Sequence, residues 1–256
     1  MNLVPEQVNA LIACKTGKNV FITGPPGTGK SFTLNYIIKY FKSIYKKIGI
    51  TASTGCAAVL INGTTIHSFL KVGLARGSAL ELAVKTKAKQ KKKVGQLKDL
   101  EVLIIDEISM IDSGFFCKMG QYMKHIRESD EPFGGVQVIL VGDFYQLAPV
   151  NGGYAFENSI WGSLELKVIK LTECIRQSGD LLFQKILTEV REGVVTPETI
   201  ETLSNCTGIE ETNKLNYTKL YSRNVNVDEI NEEYYSKIKK KLKATEKPRI
   251  FQNEEK

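Results

Sequence analysis

The run Gly24-Pro25-Pro26-Gly27-Thr28-Gly29-Lys30-Ser31 carries the clearest chemistry in this chain. It matches GxxxxGK[ST], a loop whose glycines let successive backbone N–H groups curl round phosphate oxygens. Gly24, Gly27, Thr28 and Gly29 supply the cradle. Lys30 is spaced to reach the β- and γ-phosphates of a nucleoside triphosphate, and the Ser31 hydroxyl to ligate Mg²⁺. A helix opening near Ser31 would add its partial positive charge to the same site. Such a loop needs a second partner for magnesium at the end of a neighbouring strand. Asp106 and Glu107 follow the apolar run 102–105 and fit that need. Asp106 is placed to hold the metal through water, and Glu107 to polarise the attacking water as general base. A third apolar run ends in Gly142-Asp143-Phe144-Tyr145-Gln146. The Gln146 amide is placed there to touch a γ-phosphate and report its hydrolysis.

Those residues need strands and helices to hold them. Apolar runs of strand length fall at 19–23, 47–51, 102–105 and 136–141. They are β-branched or Leu/Ile-rich without clean alternation, the pattern of strands buried on both faces. Helical spacing appears over 32–45 and 115–126. Strands alternating with helices predict an α/β fold with a parallel sheet covered on both sides, with ligands at the carboxyl ends of the strands. Residues 71–98 break the rhythm with Gly73, Gly77 and the basic run 85–93. They read as a partly helical excursion from the core, with either a solvated charged face or a backbone-phosphate contact. Beyond residue 170 the pattern predicts a helix over 181–190, a strand over 215–222 and a helix over 225–238.

Composition bounds the partners. The 256 residues suffice for one large domain and part of another, and 42% hydrophobic residues can bury a real core. A formal net charge of +7 favours polyanionic partners. Five scattered cysteines form no CxxC pair and no metal-ligand cluster with His67 and His125, as expected of free thiols in a reducing compartment. No signal peptide or membrane span is visible, so a soluble, intracellular protein is expected.

Taken together, these motifs resemble superfamily-one DNA helicases, most closely the Pif family, over roughly residues 3–238. Residues 51–58 (TASTGCAA) and 63–69 (GTTIHSF) look like that family's single-strand-binding segment. Residues 104–112 (IIDEISMID) resemble its extended acidic motif, and residues 142–150 (GDFYQLAPV) its GDFxQLPPV motif with Ala148 in place of a proline. Residues 171–177 (LTECIRQ) are similar to its L…RQ motif, which implies that Arg176 is an arginine finger on the γ-phosphate. Residues 3–7 (LVPEQ) look like the motif whose glutamine, here Gln7, reads the adenine edge. An exposed helix-start residue is the other reading of Gln7, and a surface ion pair that of Arg176.

The resemblance implies a RecA-like ATPase domain over 1–170 with a basic, wedge-like insertion at about 71–98, and the truncated start of a second RecA-like domain over 171–256. It implies ATP and Mg²⁺ as cofactors, with 5′-to-3′ translocation on single-stranded DNA and unwinding of duplex forks in genome and telomere maintenance. The nucleus or mitochondrion would house a eukaryotic protein, and the host cell a viral one. Thr54, Thr65, His67, Ser68 and Phe69 are the DNA-contact candidates: hydroxyls for phosphates, flat rings for bases. Thr51, Ser53 and Thr64 add further hydroxyls, while His67 and Phe69 are also credible core residues. The family's later motifs belong beyond residue 256. An ATP- and DNA-binding module without helicase activity of its own therefore stays open, as does an AAA+ ATPase, which the phosphate loop and Asp106-Glu107 alone would fit.

Overall fold

The structure, a computed structural model, describes residues 3–177, 179–207 and 220–244. The chain divides into two compact units, residues 1–202 and 203–256. The first unit opens with α1 (Pro5–Lys15), β1 (Val20–Thr23), α2 (Lys30–Ser43) and β2 (Ile48–Ala52). Two short helices, α3 (Gly55–Leu60) and α4 (Ile66–Leu70), flank the two-residue strand β3 (Thr64–Thr65). Next come α5 (Ala79–Lys89), α6 (Lys91–Lys98), β4 (Val102–Asp106), α7 (Ser113–Arg127) and β5 (Gln137–Val141). The unit ends with α8 (Ser159–Ser163), β6 (Lys167–Lys170), α9 (Leu181–Glu192) and most of α10 (Pro197–Asn205). In the second unit the described residues hold α11 (Asn224–Ala244).

The sheet runs β3-β2-β4-β5-β1-β6, and each pairing is parallel. Side chains alternate between two cores along each central strand, as the two-residue period of a strand requires. Val20, Ile22, Val102, Ile104, Ile139 and Val141 face a core built with α1 and α2. Phe21, Leu103, Ile105, Val138 and Leu140 face the opposite one, built with α4 to α7. Burial on both faces is why these strands read as unbroken apolar runs.

Three expectations change here. The strand bearing Asp106 is not the immediate neighbour of the phosphate-loop strand, because β5 lies between them. The 71–98 segment is helical but is no excursion: Val72, Ala75, Ala79, Leu82, Ala83 and Leu97 are buried in the core around α7. Arg127 of α7 ties its end down, its Nη1 donating to the carbonyls of Leu97, Lys98 and Leu100 at 2.8, 2.5 and 3.0 Å. Finally, the first unit runs past the boundary expected at residue 170 and takes in α9. The strand expected over 215–222 lies mostly outside the described residues, and its described part, 220–222, is not strand. Among the described residues no helix is long and apolar enough to cross a membrane. All five cysteines are free, and burial drives the Cys14 thiol up to about 12.

Candidate functional site

The loop after β1 is shaped by its glycines. Gly24, Gly27 and Gly29 have φ of 151°, 84° and 82°, values that favour glycine over any residue with a side chain. Space forbids a side chain too. A Cβ on Gly24 would lie 2.2 Å from the Leu171 carbonyl oxygen, and one on Gly29 2.7 Å from Gln7 Nε2. Thr28 is buried, and its hydroxyl donates to the Pro25 carbonyl at 2.9 Å. Lys30 Nζ donates to the carbonyls of Gly24 at 2.8 Å and Pro25 at 3.1 Å. Ser31 stands exposed in the first turn of α2.

Three carboxylates gather near this lysine. Burial pulls the Lys30 ammonium below the ordinary lysine range, while Asp143, Glu107 and Asp106, in that order, oppose it. Asp106 ends β4 and is 6% exposed. Burial, then the neighbouring Glu107 charge, push its carboxyl up to about 6, against the pull of the Glu107 amide and Lys30. Glu107 adopts a left-handed φ of 54°, uncommon for a residue with a side chain and frequent where chemistry constrains the backbone. Its N–H donates to Asp106 Oδ1 at 3.0 Å. Two buried hydroxyls near this strand end, Ser53 and Ser109, have no hydrogen-bond partner among the described residues. Ser53 follows β2, and its N–H donates to the Asp106 carbonyl at 3.1 Å.

Helix α1 braces the loop. Gln7 is fully buried, which excludes the exposed helix-start alternative. Its Nε2 donates to the Thr28 carbonyl at 3.3 Å, and its Oε1 accepts from the Val4 amide at 3.2 Å. The adjacent Glu6 takes the amide and the hydroxyl of Thr172 at 2.7 and 2.6 Å. Residues 172–177 thereby lie along the loop, where the amides of Ile175 and Arg176 donate to the Gly27 carbonyl at 2.9 and 3.2 Å. The Arg176 residue is exposed.

Sequence reasoning missed one functional-looking residue, Arg191 of α9. It grips Asp143 with two hydrogen bonds, at 2.9 Å from Nε and 2.8 Å from Nη2. Burial opposes ionisation of Asp143, but Arg191, the Tyr145 amide and Lys30 outweigh it and hold the carboxyl below the usual range. Gln146, three residues on, is exposed, and its Nε2 reaches Asp143 Oδ2 at 3.5 Å. No sequence signal marked Arg191, because its partner lies 48 residues earlier.

The 51–69 segment is more mixed. Thr51 is fully buried and its hydroxyl donates to the Ile104 carbonyl at 2.6 Å, so it offers nothing to a phosphate. Thr54 caps α3, accepting from the Ala57 amide at 3.2 Å, and Thr65 caps α4, accepting from Ser68 at 3.3 Å. Ser68 is exposed. The His67 ring stacks on Phe115 with centroids 4.1 Å apart and planes 7° from parallel. Burial lowers its pKa, with Asp112 acting in the opposite sense. Phe69 packs against the core and carries the Lys93 ammonium 3.8 Å from its centroid. One face of each ring is thus already covered.

Comparison with known proteins fits this arrangement. A family model described as PIF1-like helicase matches residues 2–201. The "ATP-dependent DNA helicase Pif1" of Psychrobacter is 39% identical over 241 residues, covering 89% of this chain and 36% of that protein. The crystal structure of a Candida albicans Pif1 helicase superposes with a TM-score of 0.87 at 37% identity, over 91% of this chain and 54% of that one. A Bacteroides Pif1 helicase solved in complex with ADP-AlF3 and single-stranded DNA gives a TM-score of 0.77 at 29% identity, over 91% and 57% of the two chains. The chain spans about a third of the curated relative and just over half of these solved chains. On the strength of the matched motifs, the sheet and the length of the match, the chain belongs to the PIF1-like helicase family.

Proposed function

We propose that this chain is the nucleotide-binding part of an ATP-dependent DNA helicase that moves 5′-to-3′ on single-stranded DNA and opens duplex forks. The observation that carries the reading is the convergence at the carboxyl ends of three strands. The glycine loop follows β1, Asp106-Glu107 ends and follows β4, and Asp143 and Gln146 follow β5. All three carboxylates act on the Lys30 ammonium.

The groups present fit a nucleotide and its metal. The left-handed glycines leave the loop free of side chains, as an approaching phosphate requires. Asp106, held protonated up to about pH 6 by burial and Glu107, is a carboxyl whose ionised form a cation would stabilise. The unpartnered Ser53 and Ser109 hydroxyls could satisfy water around such a cation. Magnesium would supply charge neutralisation on the phosphates, with Ser31 and Asp106 holding it. In this reading Lys30 leaves the Gly24 and Pro25 carbonyls for phosphate oxygens, Glu107 takes a proton from the attacking water, and Gln146 orients near the terminal phosphate. Arg176 neutralises charge developing on the transferred group. Gln7 both braces Thr28 and stands beside the loop as the adenine reader. Thr54, Thr65, His67, Ser68 and Phe69 form the DNA face. A threonine that caps a helix accepts with a lone pair, so its own O–H is still free to donate to a phosphate.

Hydrolysis of ATP by this chain, with and without single-stranded DNA, tests the proposal beside Lys30→Ala and Glu107→Gln. DNA stimulation that falls about 10²-fold or more in both variants supports it. Nucleotide binding without turnover would leave a binding module and overturn hydrolysis by this chain alone. Equal, weak binding by the wild type and Lys30→Ala would overturn the nucleotide site.

A further inference from the structure

Arg191, in the last turn of α9, stands outside the groups assigned above. Its side chain is 11% exposed and its partner Asp143 only 1%. The pair is bidentate, the geometry in which a guanidinium fixes orientation as well as charge. The same guanidinium lies over the Tyr145 ring, 4.2 Å from its centroid. Asp143 and Tyr145 are the residues that lead into Gln146, so Arg191 holds the root of that loop on two sides.

Asp143 faces four groups, one of them the Tyr145 amide, which donates to its Oδ1 at 3.2 Å. Its Oδ2 accepts from Arg191 Nε at 2.9 Å and from Gln146 Nε2 at 3.5 Å, so the stronger donor leaves the glutamine amide loosely held. Its charge also heads the carboxylates acting on Lys30. A cavity of about 120 Å³, lined by Pro25 and Pro26 of the phosphate loop and by Gln184, Leu187 and Arg191 of α9, separates helix from loop. That is room for a few waters, and for the helix to shift against the loop.

We propose that Arg191 is a positioning residue: by clamping Asp143 and Tyr145 from α9, it sets Gln146 to distinguish a nucleoside triphosphate from a diphosphate. The inference rests on the nucleotide site proposed above. Arg191 touches neither substrate nor metal in this scheme. Its clamp takes Asp143 Oδ2 at 2.9 Å and leaves Gln146 only a long, weak bond to the same oxygen, so the amide can turn to a terminal phosphate, and the position of α9 is tied to the state of that phosphate.

The test is a titration of the chain, in Mg²⁺, with fluorescent ADP and with a fluorescent, slowly hydrolysed ATP analogue. Arg191→Met should keep ADP affinity within about two-fold while its preference for the triphosphate analogue falls about five-fold or more. Arg191→Lys keeps the charge but loses the bidentate grip, and should behave the same way. Cooperative melting and near-ultraviolet circular dichroism establish folding, and if Arg191→Met does not fold, Arg191→Lys decides. An unchanged preference in the folded variant, full rescue by lysine, or a wild type without any preference would overturn the inference. Failure of the wild type to outbind Lys30→Ala for either nucleotide would instead overturn the nucleotide site itself.

Discussion

The phosphate loop and the 51–69 segment both carry glycines and hydroxyl side chains, yet they are built in opposite ways. In the loop the working atoms belong to the backbone, and other elements hold them from outside: Gln7 grips Thr28, and the Ile175 and Arg176 amides grip Gly27. In the 51–69 segment the atoms proposed to meet DNA belong to side chains that already serve their own helices. Thr54 and Thr65 are caps, and the His67 and Phe69 rings are covered by Phe115 and Lys93. A backbone cradle demands glycine at fixed spacing and so shows in the sequence. A side-chain surface is defined by what packing leaves over, and shows only in three dimensions.

The sharpest contrast comes from breaking two ion pairs, a nearly buried one beside the phosphate loop and an exposed one remote from it. Asp143→Ala leaves the nearly buried Arg191 without its partner and should cost about 3–5 kcal/mol by urea denaturation. Lys87→Met, which breaks the exposed pair with Glu128, should leave the midpoint unchanged. A small loss at Asp143 would mean that α9 is not clamped as described.

Glycine replacement should differ in sign. Gly24→Ala puts a Cβ 2.2 Å from a backbone carbonyl at φ 151°, and should destabilise by about 2–3 kcal/mol. Gly95→Ala lies within α6, with nothing within 4 Å of the added carbon, and should stabilise by about 0.5–1 kcal/mol. Thermal melts of the two variants check both signs.

The caps give a smaller effect with two readouts. Thr54→Ala should cost about 1 kcal/mol of stability and also weaken binding of single-stranded DNA. Thr54→Ser, which keeps both the cap and the hydroxyl, should restore both. Stability lost without any change in DNA affinity would confine Thr54 to capping.

The smallest effect is one of pH. Burial, then the nearby Lys71, pulls Lys93 down to about 8. Because its folded value lies below that of the unfolded chain, this group takes stability away while it is charged. That loss is present below about pH 8 and is relieved as pH rises towards 10. DNA affinity should run the other way, falling through pH 8 as the ammonium over Phe69 loses its charge. Lys93→Arg stays charged throughout and should flatten that fall; an identical pH profile in the variant would mean that the Lys93 charge does not act on DNA.

Much of the fold was legible because burial on both faces gives β1, β4 and β5 apolar runs without alternation. The phosphate loop and Asp106-Glu107 were legible because their spacing follows from chemistry. What stayed hidden depends on long-range packing. Thr51 reads as a phosphate contact until its hydroxyl is seen to be spent on Ile104. The 71–98 segment reads as an excursion because its lysines dominate the composition, while its buried Leu82, Ala83 and Leu97 are too sparse to signal a core. The insertion of β5 between β1 and β4 is a matter of strand order, on which local pattern is silent.

If the proposed function holds, nucleotide on the loop changes how the 51–69 segment holds DNA. The most direct test is the affinity for fluorescent single-stranded DNA without nucleotide, with ADP and with a slowly hydrolysed ATP analogue. Coupling of two sites predicts a shift of about five-fold or more between the nucleotide states, matched by an equal effect of DNA on nucleotide affinity and abolished by Lys30→Ala. A DNA affinity that is the same in all three states would contradict the account.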